Sequence, residues 1–411
     1  MALGCAAIAL ARGGALDRSF SGDGIKTTLI GVSSPAYTGE IDGRGRIVAA
    51  GSTFDGAGED FALARYKTGG ALDRRFSGDG IKTTSIGSGD DYVDGVAFAH
   101  KGRIVVVGGT EDGDDYDVAL ARYKRGGSLD RRFSGDGIKR TRIGDGDDGA
   151  YAVAIDDRGR IVVSGTAEVE GNDATLLARY KPGGSLDRSF SDDGIRTLSI
   201  GSGGDYAQSV EIDDRGRIVI AGNTFDGPDS EFMVARFKPG GSLDRSFSGD
   251  GVQTTPIGSA PATGVSSEID RRGRIVVGGY ASNGADSDFA VARYKRGGAL
   301  DDSFASDGIK TTPIGAGNDF VGSLAIDRRG RIVLSGWSHN GADYDVAVAR
   351  FKRGGSLDSD FSDDGIKTTA IGSANDFGSN VAIDRLNRIV VMGSTDIEGG
   401  ARQFAILRYK P

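Results

Sequence analysis

The stretch Gly240-Gly241-Ser242-Leu243-Asp244-Arg245-Ser246-Phe247-Ser248-Gly249-Asp250-Gly251 decides the fold, because its pattern returns along the whole chain. Its Leu-Asp-x-x-Phe core begins at Leu16, Leu72, Leu129, Leu186, Leu243, Leu300 and Leu357, at a spacing of 56 once and 57 five times. Residues 13–411 amount to 399 positions, or seven units of 57, and only residues 1–12 lie outside them. A repeat of this length is one supersecondary unit that buries its apolar face only against its neighbours.

Each unit holds four strand-like segments. In one copy they read 151–156 (strand A), 160–164 (B), 175–181 (C) and 137–143 (D). Between A and B lies a hairpin turn whose fourth position is Gly45, Gly102, Gly159, Gly216, Gly273 or Gly330, and Asn387 in the last copy. Gly replaced only by Asn marks a left-handed backbone position. Segments such as Ile25-Lys26-Thr27-Thr28 alternate apolar and polar residues, as a half-solvated strand does. Phe61-Ala62-Leu63-Ala64 and Ile161-Val162-Val163 are almost wholly apolar, as strands covered on both faces are.

Four strands per unit, seven units and unexceptional end units predict an all-β, seven-bladed β-propeller with four-stranded antiparallel blades. The C-terminus supplies A, B and C of the last blade, so the segment near 24–30 must return as its D strand and close the ring. That closure removes two free sheet edges.

The segment 240–251, together with Arg-Ile-Val-Val-x-Gly and Phe-Ala-Val-Ala-Arg-Tyr (289–294), resembles the delta-60 repeat family of bacterial β-propellers, a domain of unknown function. The resemblance covers residues 13–411. It implies a propeller in an exported or surface protein and brings no catalytic residues with it.

Composition agrees and excludes a good deal. The 69 Gly among 411 residues are more than double the usual ~7%, yet far from the one-third of a collagen. With one Cys there is no disulfide framework or Cys-rich zinc site. A net charge of -8 gives no reason to expect nucleic-acid binding. No apolar run reaches the ~18 residues of a membrane span. Residues 1–12 (MALGCAAIALAR) read either as the remnant of a secretion signal, with Ala9-Leu10-Ala11 as the cleavage site, or as an extra strand.

Two sets of charged residues recur in every unit. Asp17, Asp23 and their equivalents are expected to cap turns rather than to hold a ring of calcium ions, since no unit has calcium-loop spacing. Arg65, Arg122, Arg179, Arg236, Arg293, Arg350 and Arg408 share one place in strand C. A buried Arg needs a carboxylate, and the Asp of Leu-Asp-x-x-Phe is the expected partner.

Function is sought where the units differ. The seven B–C connections hold 20 acidic residues and one basic residue, Arg402, whereas the A–B turns hold 16 Lys or Arg against 8 Asp. Calcium is the sharpest ligand for the acidic face, with Asp112, Asp114, Asp115, Asp117, Asp145, Asp147 and Asp148 as candidates. Tyr280, Trp337, His339 and Tyr344 form an aromatic-plus-His group suited to stacking on a sugar or another planar ligand. No catalytic constellation is present, and His100 and His339 fall on opposite faces. The expectation is a rigid, monomeric binding or scaffold module for a protein or carbohydrate. The alternatives are a carboxylate-dependent hydrolase or lyase on the acidic B–C face and a calcium-stabilised structural propeller. Convergent carboxylates off the repeat pattern would favour the enzyme.

Overall fold

The computed structural model describes residues 13–227, 229–258 and 261–411. Both readings of residues 1–12 therefore lie outside the described residues.

Seven four-stranded antiparallel sheets are formed. Blade 1 consists of Ala36–Ile41 (A), Ile47–Phe54 (B), Glu59–Tyr66 (C) and Ile81–Thr84 (D). Blade 7 takes Asp376–Ile383, Ile389–Asp396 and Arg402–Tyr409 from the C-terminus and Ile25–Thr28 from the N-terminal side, with Ile25 opposite Leu407 and Thr28 opposite Phe404. Successive A strands touch, and the first meets the last, so the ring is closed around an axis lined by A strands. No helix is long and apolar enough to cross a membrane among the described residues.

The turn Gly expected to be left-handed have φ from 69° to 76°, and Asn387 has φ 60°. Strands B and C are buried along nearly their whole length, and the core lies between blades. One cluster joins Val219, Ala221, Phe232 and Val234 of blade 4 to Ile275, Val277 and Ala290 of blade 5. Sheet-on-sheet packing of this kind removes apolar area from water on both faces of each blade.

The Arg–Asp pairing holds in all seven units, at 2.8–3.0 Å. In blade 4, Arg236 Nε donates to Asp244 Oδ2 at 2.8 Å, and its guanidinium lies 4.8 Å from the centre of the Phe247 ring. Its Nη1 donates to the Arg296 carbonyl of blade 5 at 2.5 Å. Arg217 of the A–B turn joins the same carboxylate at 3.3 Å. The group is a staple between consecutive blades. Asp17 and Asp23 are caps, accepting from the Ser19 and Ile25 N–H groups.

Strand limits differ from the sequence reading. In blade 3, strand B extends to Val169 and strand C begins at Asn172, so the B–C connection is a two-residue hairpin. Polar side chains suggest a loop there, but a strand that projects beyond the core pairs its backbone without needing apolar residues.

Every A strand carries a β-bulge, placed between Tyr206 and Ser209 in blade 4. Opposite it on strand B stands a Gly in each blade, Gly222 in blade 4. A Cβ there would overlap the Tyr206 carbonyl oxygen. Gly222→Ala is expected to destabilise the protein by about 1–3 kcal/mol, the usual range for overpacking. A urea midpoint equal to wild type would refute this.

Candidate functional site

The bulge matters because its extra residue projects toward the ring axis. At this register the blades carry Tyr37, Asp94, Tyr151, Gln208, Val265, Gly322 and Ser379, all lining a central cavity of about 660 Å³. Three residues further along strand A comes a second tier: Glu40, Ala97, Ala154, Glu211, Glu268, Ala325 and Ala382. Glu40, Glu211 and Glu268 line the cavity. Four carboxyls therefore line a channel whose wall, among the described residues, holds no Lys, Arg or His.

Strand A is the inner edge of its sheet, so some of its N–H groups lack a ladder partner. Two glutamates serve that edge. Glu40 accepts from the Phe98 N–H at 2.8 Å and Glu268 from the Ile326 N–H at 2.7 Å. Burial nevertheless raises both carboxyls to about 7. Glu211 is pushed up to about 8, first by burial and then by Glu268 and Glu40. Burial alone lifts Asp94 to about 7, and burial above all lifts the Tyr37 hydroxyl to about 12. Charge removed from water without a counter-charge favours the neutral acid. These carboxyls escape a sequence reading that looks to loops for function. The signal is there: Glu at one register in three blades, against Ala in the other four.

The second feature is the B–C face. Tyr280, Trp337, His339 and Tyr344 do come together, but on strands rather than loops. Two further rings, Phe320 and Phe377 of strand A, join them. Tyr280 meets Phe320 edge-on at 4.9 Å, and Phe320 lies 6.0 Å from Trp337. Trp337 meets Phe377 at 5.5 Å, and Tyr344 lies 6.4 Å from Phe377 and 5.1 Å from His339. Arg402 closes the row, 4.5 Å from the centre of the Phe377 ring, with its Nε on Asp396 at 2.9 Å. All six ring residues are half-buried. They form a shelf across blades 5 to 7, and Phe320 stands two residues before Gly322 of the channel wall. Phe320 and Phe377 stand at a register that reads Pro35, Tyr92, Gly149, Tyr206 and Thr263 elsewhere, so an aromatic ring there does not break the repeat.

The acidic candidates lie in blades 2 and 3, where Asp115, Asp147 and Asp148 brace the B–C hairpin and the D–A loop beside it. Asp112 and Asp115 pair across the strand ends, Asp114 sits in the turn between them, and Asp145 lies in the next D–A loop. Asp115 Oδ2 meets Arg142 Nη2 at 2.8 Å. Asp147 accepts from the Tyr116 N–H at 2.9 Å, and Asp148 from the Ile143 and Gly144 N–H groups at 2.6 and 3.0 Å. Asp117 is nearly buried, and burial, then Asp112, raises its carboxyl above the usual range. Among the described residues no group of three or more His, Cys, Asp or Glu is placed to hold a metal ion.

The model of a domain of unknown function, the DUF5122 β-propeller, matches residues 45–76, 102–133, 159–190, 216–247, 273–304 and 330–361. Each match runs from the left-handed turn Gly to the Phe of Leu-Asp-x-x-Phe. These matches support a β-propeller repeat family of unknown function. By the same pattern the seventh unit is divided, its first part near the C-terminus and its Leu16–Phe20 motif near the start. No curated protein matches the chain. Among solved structures it is similar to a protein of unknown function from Dyadobacter fermentans DSM 18053, at 12% identity over 94% of this chain and 99% of that one, with a TM-score of 0.46. Similarity extends to Sqt1 from Chaetomium thermophilum, at 11% identity over 94% and 98%, with a TM-score of 0.46. A polysaccharide lyase described as PL25 ulvan lyase matches at 11% identity over 93% and 95%, with a TM-score of 0.49.

Proposed function

We propose that the protein is a rigid binding propeller whose ligand, a carbohydrate, lies on the aromatic shelf at the B–C face. One observation carries this reading. Tyr280 and Trp337 occupy a register that holds Ser52, Gly109, Thr166, Asn223 and Ser394 in the other blades. Large half-buried rings gathered at one place, on strands that cannot fold away, offer flat apolar area beside polar edges. Sugar rings present the complementary surface.

The chain contains a single Trp, and it stands in the shelf, so its fluorescence reports directly on occupancy. A panel of neutral oligosaccharides is expected to include one that shifts Trp337 emission saturably. Tyr280→Ala should weaken that ligand tenfold or more, the effect of losing a central aromatic anchor. A panel without any saturable shift would remove the reading.

The channel favours a second reading, a carboxylate-dependent hydrolase or lyase. Its carboxyls depart from the repeat pattern and line one cavity, and a group raised to about 8, as Glu211 is, carries a proton at neutral pH and can donate it. This reading moves the reaction from the loops into the channel. New reducing ends released from an oligosaccharide by wild type, and not by Glu211→Gln or Asp94→Asn, would support it. Equal release by all three would exclude it.

A further inference from the structure

We propose that copies of this protein stack head to tail, the A–B face of one on the B–C face of the next, with the contact in blades 7 and 1. The proposal does not rest on the aromatic shelf and needs no ligand there.

The first observation is where large apolar side chains reach water. Among the described residues these are Leu29, Val32, Tyr37, Phe54 and Leu386, and all five belong to blades 7 and 1 or to the connection between them. Tyr37 lines the channel. The other four lie on opposite faces of this one sector. Leu29 and Val32 follow strand D of blade 7 on the B–C face, where the Val32 N–H donates at 2.8 Å to the carbonyl of Phe54, the last residue of strand B in blade 1. Leu386, 66% exposed, tips the A–B turn of blade 7 on the far face. The repeat puts small or polar residues at two of these places. Val32 stands where the other connections carry Ser, Asp or Ala, and Leu386 where the other turns carry Arg or Lys. Single exposed apolar residues scattered over a surface need no explanation, but their confinement to one sector of both faces marks a contact.

Charge selects the occupant. The B–C connections are acidic and the A–B turns basic, so each face complements the opposite face of another copy and not itself. The same holds beside the apolar residues. Asp55 follows Phe54 on one face, and Arg385 precedes Leu386 on the other, reaching toward Gly43 of the turn that holds Arg44. Arg44 and Arg385 are exposed, and among the described residues neither guanidinium has a carboxylate partner. A partner that offers acids beside apolar residues to this face, and arginines beside an apolar residue to the other, is a second copy of the chain. Apolar burial supplies attraction and opposed charge fixes orientation. The net charge of -8 repels whole copies at a distance, but at about 0.15 M salt repulsion is screened beyond ~8 Å and the facing groups decide. Such a contact is heterologous and leaves one face of each end copy free, so association continues past the dimer.

The test is sedimentation velocity of the whole protein from about 1 to 200 µM at about 0.15 M salt. Sugar is left out, because a stacked copy and a ligand on the shelf would share the B–C face. The sedimentation coefficient is expected to rise with concentration beyond that of a dimer, and to fall back at about 0.5 M salt. Leu386→Arg and Val32→Asp introduce residues that the repeat itself carries at these registers, as at Arg44 and Asp145, so the fold accommodates them. Each alone should weaken association at least tenfold. Mixed, the two variants should form a dimer and nothing larger, since one retains the B–C contact and the other the A–B contact. Three results would overturn the proposal: a monomer throughout the concentration range; wild-type association in either variant alone; or no dimer in their mixture.

Discussion

Replacing Arg236 with alanine is expected to lower the free energy of unfolding by about 3–5 kcal/mol, the range for removing one partner of a buried ion pair. The side chain is nearly inaccessible and acts in three places at once. It pairs with Asp244, lies over Phe247 and donates to the Arg296 carbonyl of the next blade. Burial works against the Asp244 charge, but the Ser246 hydroxyl and N–H, with Arg236, hold the carboxyl below its ordinary range. Without Arg236 that offset is reduced, an apolar ring loses its cover and an interblade carbonyl loses its donor. Arg236→Lys should fall between the two, since an ammonium keeps the charge and loses the planar fork. The exposed pair Arg142–Asp115 is the control. Arg142→Ala should cost less than about 1 kcal/mol, as exposed pairs do. Equal urea midpoints for Arg236→Ala and Arg142→Ala would refute the interblade role.

The contrast between these pairs shows where the sequence is readable. Arg236 and Asp244 recur at fixed offsets in seven units, so their pairing follows from repetition and from the need of a buried Arg for a carboxylate. Ring closure by Ile25–Thr28 is readable for the same reason: three strands at one end require a fourth from the other. The site is a different matter, because it consists of exceptions to the repeat. Trp337 and Tyr280 stand out as large rings where neighbours are small, and the structure does bring them together. Phe320 and Phe377 escape notice because they lie on strand A, where an aromatic residue reads as core. Glu40, Glu211 and Glu268 escape it because a Glu one residue before the end of a strand looks solvated. Only the closed ring converts that inner edge into a channel wall. The acidic B–C hairpins show the converse: their charge is plain, but each side chain's partner depends on which blade stands next to it.

The channel predicts an unusual dependence of stability on pH, and the sign follows from the direction in which burial moves each carboxyl. Glu40, Asp94 and Glu268, raised to about 7, and Glu211, raised to about 8, all hold their protons more tightly folded than unfolded. Above pH ~4 the unfolded chain has lost protons that the folded protein keeps, so unfolding releases them and rising pH favours it. This destabilisation is absent at pH 4, grows through the window up to about 8 and is constant beyond. The staple carboxylates act in the opposite sense. Asp301, held down at about 2 against burial by Ser303 and Arg293, contributes stability that is lost only as pH falls below 4. The two sets together place maximum stability near pH 5. A tenfold difference in proton affinity between folded and unfolded chain corresponds to ~1.4 kcal/mol, and channel water reduces the full effect. The expected loss between pH 5 and pH 9 is on the order of 3 kcal/mol. Glu211→Gln should therefore be more stable than wild type at pH 9 and indistinguishable from it at pH 4, by urea denaturation at both pH values. If wild-type stability instead rises from pH 5 to pH 9, or Glu211→Gln leaves the profile unchanged, the carboxyls are not held as neutral acids and their enclosure does not govern the channel.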